Sequence, residues 1–241
     1  MKTAKLITVL ILAIGAPTTF AAGTDSVTIR VKGTIKPVAC TVDLGYGAGV
    51  AATVDFGDIE ATSLNVDPNS PTHILTNGFG LHVACGADTH VGLVFSNTAN
   101  TVTPGLQHHV HGQPLTTVTK FGEFGLGDAK AGSYVMSLTH PEATNNAGTE
   151  VAAQWSNYDV AAKIHVKPIA VNPTGSMVEV LVPSADGSIG LGVTSNGTTP
   201  VLVKDFRANL SVNPTIAPKN TLGTGAGIEL NGSATVSIIY L

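Results

Sequence analysis

The sequence has little of the charge that binding to nucleic acid requires. Charged residues make up 12% of its 241 positions, and 12 Lys and Arg stand against 16 Asp and Glu, a formal net charge of −4. A chain with this balance carries no basic footprint, so we expect no nucleic-acid partner. Its mean hydropathy of +0.28 is too apolar for an intrinsically disordered protein. A folded domain with a sizeable core is therefore expected.

Sequence motifs of enzyme chemistry are also missing. The chain has no Gly-x-Ser-x-Gly nucleophile elbow, no complete Gly-x-Gly-x-x-Gly and no Walker-type Gly-Lys-Ser/Thr. Its carboxylates are dispersed singly, so no pair is marked for acid–base catalysis. We therefore expect no enzymatic activity, no catalytic residues and no cofactor.

Long apolar runs are confined to the first residues of the chain. A basic stretch at 1–5 precedes an apolar run at 6–14 and small residues up to Ala21. This pattern predicts a secretory signal peptide over residues 1–21, cleaved after Ala21 or one residue later. The alternative is a buried core strand at the true N-terminus. No second run is long enough for a membrane-spanning helix, so we do not expect the mature protein to cross a membrane as a helix. The signal peptide predicts that the protein is exported.

The sequence has only two cysteines, and the predicted export determines how we interpret them. Cys40 and Cys85 are the only pair in the sequence. In an oxidising compartment such a pair is expected to form a structural disulfide. Metal ligation is a poor alternative, because zinc sites need closely spaced cysteines or added histidines.

Turn residues and two-residue hydrophobic alternation are abundant. The chain has 27 Gly and 13 Pro, and apolar side chains alternate with polar ones over 27–31, 159–167, 206–213 and 233–241. We found no helical stripe of twelve residues. Strands at this spacing predict an antiparallel sandwich or barrel, and the segment 97–147 reads as loops and short strands inserted into it. Turns are predicted at Asn77-Gly78, Asp186-Gly187, Asn196-Gly197 and Asn231-Gly232.

Histidine and tryptophan provide the remaining candidate binding residues. His108, His109 and His111 form the only metal-like cluster, and His109 and His111 would share one face of a strand. A zinc site would need further ligands, so polar surface histidines are the simpler interpretation and no metal site is assigned. Trp155 is the only tryptophan. It fits an anchor in the core or at a sheet edge better than a carbohydrate platform.

Several short motifs, in order, resemble the subunits of chaperone–usher fimbriae (pilins). They cover the first third and the last tenth of the mature chain well and the middle loosely. The middle is similar to a branch of larger fimbrial proteins. The matching stretches are 31–40 (VKGTIKPVAC), 54–59 (VDFGDI) with Ser63-Leu64, 79–85 (FGLHVAC), 124–127 (FGLG), Gln154-Trp155 and the alternating end of the chain with penultimate Tyr240.

This resemblance implies a specific fold and assembly mechanism. Pilins are immunoglobulin-like antiparallel β-sandwiches that lack their last strand, and a donor strand completes them. A periplasmic pilus chaperone supplies that strand first, and a neighbouring subunit supplies it after passage through an outer-membrane usher. The resemblance implies a sandwich domain over 32–241. Its groove strand would comprise Ala234, Val236, Ile238, Tyr240 and Leu241.

A candidate donor strand lies at 22–31, directly after the predicted signal peptide. Its Val27, Ile29 and Val31 are in phase, and Gly23 shares that phase where a donor must pass a filled pocket. From periodicity alone, residues 26–35 could equally be the first strand of a closed sandwich. The resemblance favours a donor. The expected function is a structural subunit of a surface fimbrium that supports cell adhesion. The alternative is a fimbrial tip or stand-alone secreted adhesin that binds a carbohydrate or surface ligand.

Overall fold

The structure is a computed structural model that describes most of the chain from residue 38 onwards. The described residues are 38–45, 47–74, 77–97, 101–110, 112–115, 121–127, 131–139, 141–166, 170–171, 179–222 and 227–241. They belong to a compact unit that extends from Pro37 to Leu241. The predicted signal peptide (1–21) and donor extension (22–31) lie outside the described residues.

The described part of the chain is almost entirely β-structure, as the sequence predicts. Two 3₁₀ helices of three residues, Ala61–Ser63 and Lys219–Thr221, are its helical elements. Among the described residues, no helix has the length and apolarity that crossing a membrane requires. The strands are β1 Cys40–Asp43, β2 Thr72–His73, β3 Asn77–Thr89, β4 Val91–Asn97, β5 His109–Val110, β6 Gln113–Pro114, β7 Glu123–Gly125, β8 Gly132–Leu138, β9 Glu142–Thr144, β10 Glu150–Val151, β11 Gln154–Asp159, β12 Ile164–Val166, β13 Ala170–Val171, β14 Glu179–Leu181, β15 Ile189–Thr194, β16 Val203–Ile216 and β17 Ala234–Tyr240.

Two antiparallel sheets pack face to face as a β-sandwich. Sheet A has the strand order β1-β3-β16-β8-β14-β13, with β2, β7, β9 and β10 attached beside this path, and sheet B has the order β12-β11-β15-β4-β17. Apolar side chains from both sheets fill the space between them in alternation, as in other sandwiches. The largest fully buried ones are Phe95, Phe124, Phe206, Leu81, Leu93, Leu138, Leu191 and Leu210.

The long strand β16 is the centre of sheet A. It pairs with β3 along one side and with β8 and then β9 along the other. Phe206, Ala208, Leu210 and Val212 face the core, in the phase that the sequence predicts for 206–213. A strand paired on both sides and buried on one face is the most constrained element of a sheet.

A third, smaller layer covers the outer face of sheet A. The hairpin β5–β6 and the segment around it bring Val110, Leu115 and Phe121 against Val135 of β8 and Leu181 of β14. The buried His108 lies in the same layer. The segment 97–147 therefore contains more than inserted loops, because β8 within it is a central strand with all seven residues buried.

Three local predictions are wrong. Asn231-Gly232 forms no turn and lies in the irregular segment directly before β17. Asn77-Gly78 forms no turn but begins β3, where a Cβ on Gly78 would lie 2.4 Å from the Leu210 carbonyl oxygen. This glycine is required for close packing against β16. The alternating stretch 159–167 is interrupted by a turn in which the Lys163 amide donates to the Asp159 carbonyl (2.8 Å). Lys163 has φ 57° there, and strand structure resumes with β12, Ile164–Val166.

The predicted disulfide is confirmed. Cys40 of β1 lies opposite Cys85 of β3, and the two residues are joined with a Cα–Cα distance of 4.0 Å. The bond ties the edge strand of sheet A to its only paired neighbour among the described residues. It closes a loop with a sequence separation of 45.

We expect the double variant Cys40→Ser, Cys85→Ser to lose about 4 kcal/mol of unfolding free energy, because the unfolded chain regains the entropy of a loop of this length. Urea unfolding of the oxidised protein measures the loss, and the wild-type protein unfolded in dithiothreitol is the control. Equal midpoints for the variant and the oxidised wild type would contradict a stabilising role. Periplasmic yield should also fall.

Candidate functional site

The candidate site is a gap between the edge strands of the two sheets. β17 ends sheet B and pairs with β4 alone among the described residues, from Ala234↔Asn97 to Tyr240↔Val91. β1 ends sheet A and pairs with β3 alone among them. The two edge strands approach each other, with Cα atoms closer than 8 Å.

Side chains that point inward from these edge strands are only half-buried. In β17 these are Ala234, Val236 and Ile238, and they contact the core without being enclosed by it. One strand further in, Leu93 and Phe95 of β4 are fully buried. The apolar core therefore reaches the surface along β17.

The facing edge shows the same pattern. Val38, Cys40 and Val42 pack against the core and remain half-buried, whereas Leu81 and Val83 of the adjacent β3 are 1% and 0% exposed. Val54 and Phe56, from the segment after β1, also pack half-buried against the core. The gap is lined by apolar groups from both sheets.

The strand registers show which backbone groups point into the gap. The Gly86 amide donates to the Ala39 carbonyl (2.9 Å), so Ala39 directs its peptide groups toward β3. In an antiparallel pair these directions alternate, and Cys40 and Val42 therefore direct theirs away from β3. By the same alternation, the Leu241 amide donates to the His90 carbonyl (3.1 Å), and Tyr240, Ile238, Val236 and Ala234 direct theirs away from β4.

Among the described residues, the side chain of Tyr240 crosses the gap. The Cys40 amide donates to the hydroxyl of Tyr240 at 3.1 Å. Tyr240 as a whole is 48% exposed. This contact joins the end of β17 to the start of β1.

The structure brings together only part of the predicted site. Ala234, Val236, Ile238 and Tyr240 line the gap, but Leu241 points to the other face of sheet B, where its Cδ1 lies over Gly192. Gly23, Val27, Ile29 and Val31 lie outside the described residues. Val38 and Val42 of the facing edge were not among the predicted site residues. Their two-residue alternation with Cys40 was the available signal.

A second cluster of polar groups lies under the third layer. His108 is 1% exposed, with its Nδ1 3.1 Å from Thr215 Oγ1 and its Nε2 3.2 Å from Ser133 Oγ. The ring of His73 stacks on that of His109 with centroids 3.4 Å apart, and His73 Nδ1 lies 3.4 Å from the same Thr215 hydroxyl. The expectation of surface histidines is wrong for His108, and His111 lies outside the described residues.

Burial sets the protonation of this histidine cluster. It lowers the pKa of His108 to about 4, and the nearby His73 and His109 lower it further in smaller measure. Burial, followed by the charge of His109, lowers the pKa of His73 to about 4. Burial also lowers the pKa of His109 and raises that of Glu123. All three histidines are therefore neutral at pH 7.

The geometry suits a structural role for His108. Glu123 Oε1 lies 3.9 Å from His108 Nε2, the same nitrogen that faces Ser133. In a hydrolytic triad the carboxylate holds the opposite nitrogen from the nucleophile, so Ser133, His108 and Glu123 do not form a triad. Within the described part of the chain, no three His, Cys, Asp or Glu side chains are grouped to hold a metal ion. The imidazole ties β5 to β8 and β16.

Trp155 is a core anchor. Its side chain is 4% exposed, its indole NH donates to the Thr139 carbonyl at 2.5 Å, and its ring meets Phe206 edge to face with centroids 5.9 Å apart. A buried indole with a satisfied NH offers no platform for a sugar.

Comparison with known proteins identifies one distant relative that matches nearly the whole chain. The sequence is 25% identical over 227 residues to the uncharacterized protein YhcF of Escherichia coli strain K12, a match covering 90% of this chain and 91% of that protein. No protein-family model matches the sequence. The similarity to YhcF therefore extends across both sheets but carries no functional information.

We expect the protein to lose stability as the pH falls from about 6.5 toward 4. The folded-state pKa values of His73 and His108 lie below the unfolded value of 6.5, so the unfolded state binds more protons in this window. The raised pKa of Glu123 acts in the opposite direction, because the contribution of this carboxyl group to folding stability falls when the pH rises. In thermal unfolding between pH 7.5 and 4.5, the midpoint temperature should fall less steeply with decreasing pH for His108→Gln than for the wild type. Equal slopes would contradict this assignment.

Proposed function

We propose that this protein is a structural subunit of a surface fimbrium. Subunits would be assembled by the chaperone–usher pathway through donor-strand complementation, and the filament would support adhesion. The partners are then a periplasmic pilus chaperone, an outer-membrane usher and neighbouring subunits. The protein would be exported through the periplasm to the cell surface.

The observation that supports this proposal most directly is the apolar gap between β1 and β17. Edge strands expose rows of backbone donors and acceptors, and an exposed apolar edge is a template for pairing with another chain. Here two such edges lie side by side, with half-buried apolar side chains from both. A β-strand placed between them would pair with both edges and cover Val38, Val42, Val236 and Ile238.

The proposed occupant is the segment 22–31 of a second copy of the chain. Its Val27, Ile29 and Val31 would point toward the core, in the alternation that an added strand needs to fill pockets. Burying three branched side chains contributes about 1.5–3 kcal/mol each. That gain is large enough to drive displacement of a strand lent by the chaperone.

The donor assignment predicts that Ile29→Asp stops polymerisation. Material sheared from cells that make the chain with a chaperone and usher should form a ladder on an unheated denaturing gel, and the ladder should collapse on heating. Ile29→Asp should abolish the ladder while leaving the chaperone complex intact, because a carboxylate would enter an apolar pocket.

Thr28→Asp is the matched control, since residue 28 lies in the opposite phase and would face solvent. A ladder with Ile29→Asp equal to that of Thr28→Asp would refute the donor assignment. A heat-stable monomer from wild-type cells would point instead to a tip or stand-alone adhesin.

The acceptor side of the gap can be tested in the same assay. Val236→Asp should weaken the ladder strongly, because Val236 is half-buried and faces the gap. Ser237→Asp, on the exposed face of the same strand, should leave it unchanged. Thermal unfolding of both variants shows whether each still folds. Equal ladders from two folded variants would remove β17 from the acceptor site.

A further inference from the structure

The edge of β1 that faces away from β3 is capped by groups of the same chain. Its outward-pointing Cys40 amide donates to the Tyr240 hydroxyl at 3.1 Å, and its outward-pointing Val42 carbonyl accepts from the Gly49 amide at 3.2 Å. These are the backbone groups with which a strand added along β1 would have to pair. Proteins commonly cover edge strands in this way to prevent unwanted pairing.

The gap is also narrower than an added strand requires. Neighbouring strands lie about 4.8 Å apart, so a strand between β1 and β17 would hold them about 9.6 Å apart. The two strands have Cα atoms closer than 8 Å. They must therefore move apart locally before a strand can pair with both.

Tyr240 can release this closure without unpairing β17. Its side chain is 48% exposed, so the ring can rotate into solvent. The backbone behind it is held separately, by the pairing of β17 with β4 and by the hydrogen bond from the Leu241 amide to the His90 carbonyl. Rotation of one side chain would free the Cys40 amide and leave the strand in place.

We infer that Tyr240 is a latch, which closes the gap through its hydroxyl and must release Cys40 before a β-strand from a second copy can enter. This inference rests on the proposed function and adds to it a control on the rate of strand entry. The latch prevents the edge of β1 from pairing with other β-strands before a donor strand has bound.

The test compares strand capture by the full chain and by Tyr240→Phe, which keeps the ring and removes the hydroxyl. The probe is a fluorescent peptide with the sequence of residues 22–32, and its Ile29→Asp version is the negative control. Fluorescence anisotropy measures the rate of capture. We expect Tyr240→Phe to capture the peptide about three- to tenfold faster, the range that corresponds to one hydrogen bond.

Tyr158→Phe is the matched control variant. Tyr158 lies in β11, three strands from β17 in sheet B, and its ring contacts His165 instead of the gap. It should capture the peptide at the wild-type rate. If both variants capture the peptide faster than the wild type, the latch is overturned. It is also overturned if the wild type captures the peptide and neither variant is faster.

Hydrogen exchange at the Cys40 amide provides a readout that does not depend on strand capture. This amide should be protected in the wild type and exchange at least several-fold faster in Tyr240→Phe, and equal exchange would overturn the latch. Faster exchange without capture by either protein would show that the contact exists but that the gap takes no strand. That result would remove both the proposed function and the role of Tyr240 as a latch.

Discussion

Backbone hydrogen bonding at the sheet edges is the constraint on which the rest of this structure depends. An open antiparallel sheet leaves a row of N–H and C=O groups at each edge, and these must be paired, solvated or capped. At β1 of sheet A, the Tyr240 hydroxyl and the Gly49 amide cap two of these backbone groups. A disulfide also ties β1 to β3. The result is an edge that is held in place and closed, although the apolar side chains behind it are half-buried.

The gap and the histidine cluster have different roles. The gap between β1 and β17 is apolar inside, with backbone groups along its rim, which is the chemistry of strand addition. In the histidine cluster, His108 is enclosed and hydrogen-bonded through both ring nitrogens, and the cluster fastens the third layer to the outer face of sheet A. Its neutral imidazoles make that attachment sensitive to acid, because burial disfavours the charged form.

The proposed function and the proposed latch address opposite requirements of a polymerising subunit. A subunit must present an edge strongly enough to capture a donor, but an edge that is always open would pair with any strand. A side-chain hydroxyl over one amide meets both requirements, since it costs little to release and still shields the edge. Its location at the end of β17 leaves the pairing of that strand with β4 undisturbed.

Local pattern predicted the elements whose burial repeats every two residues. The alternation at 206–213 and 233–241 identified β16 and β17, and export identified the disulfide between Cys40 and Cys85. Predictions from local pattern were wrong where a residue's role depends on a neighbour distant in sequence. Asn77-Gly78 has the composition of a turn but allows β3 to pack closely against β16, and the stretch 159–167 alternates but turns back after Asp159.

The sequence alone determined that the chain forms antiparallel β-structure with one disulfide, because two-residue periodicity and the cysteine count are properties of the chain itself. Only the tertiary structure decided that β1 and β17 lie beside each other as the edges of different sheets. It also decided that Tyr240 reaches Cys40 across a sequence separation of 200, and that His108 is enclosed. These facts depend on which strands become neighbours, and strand order follows from the packing of the whole core, which no local pattern encodes.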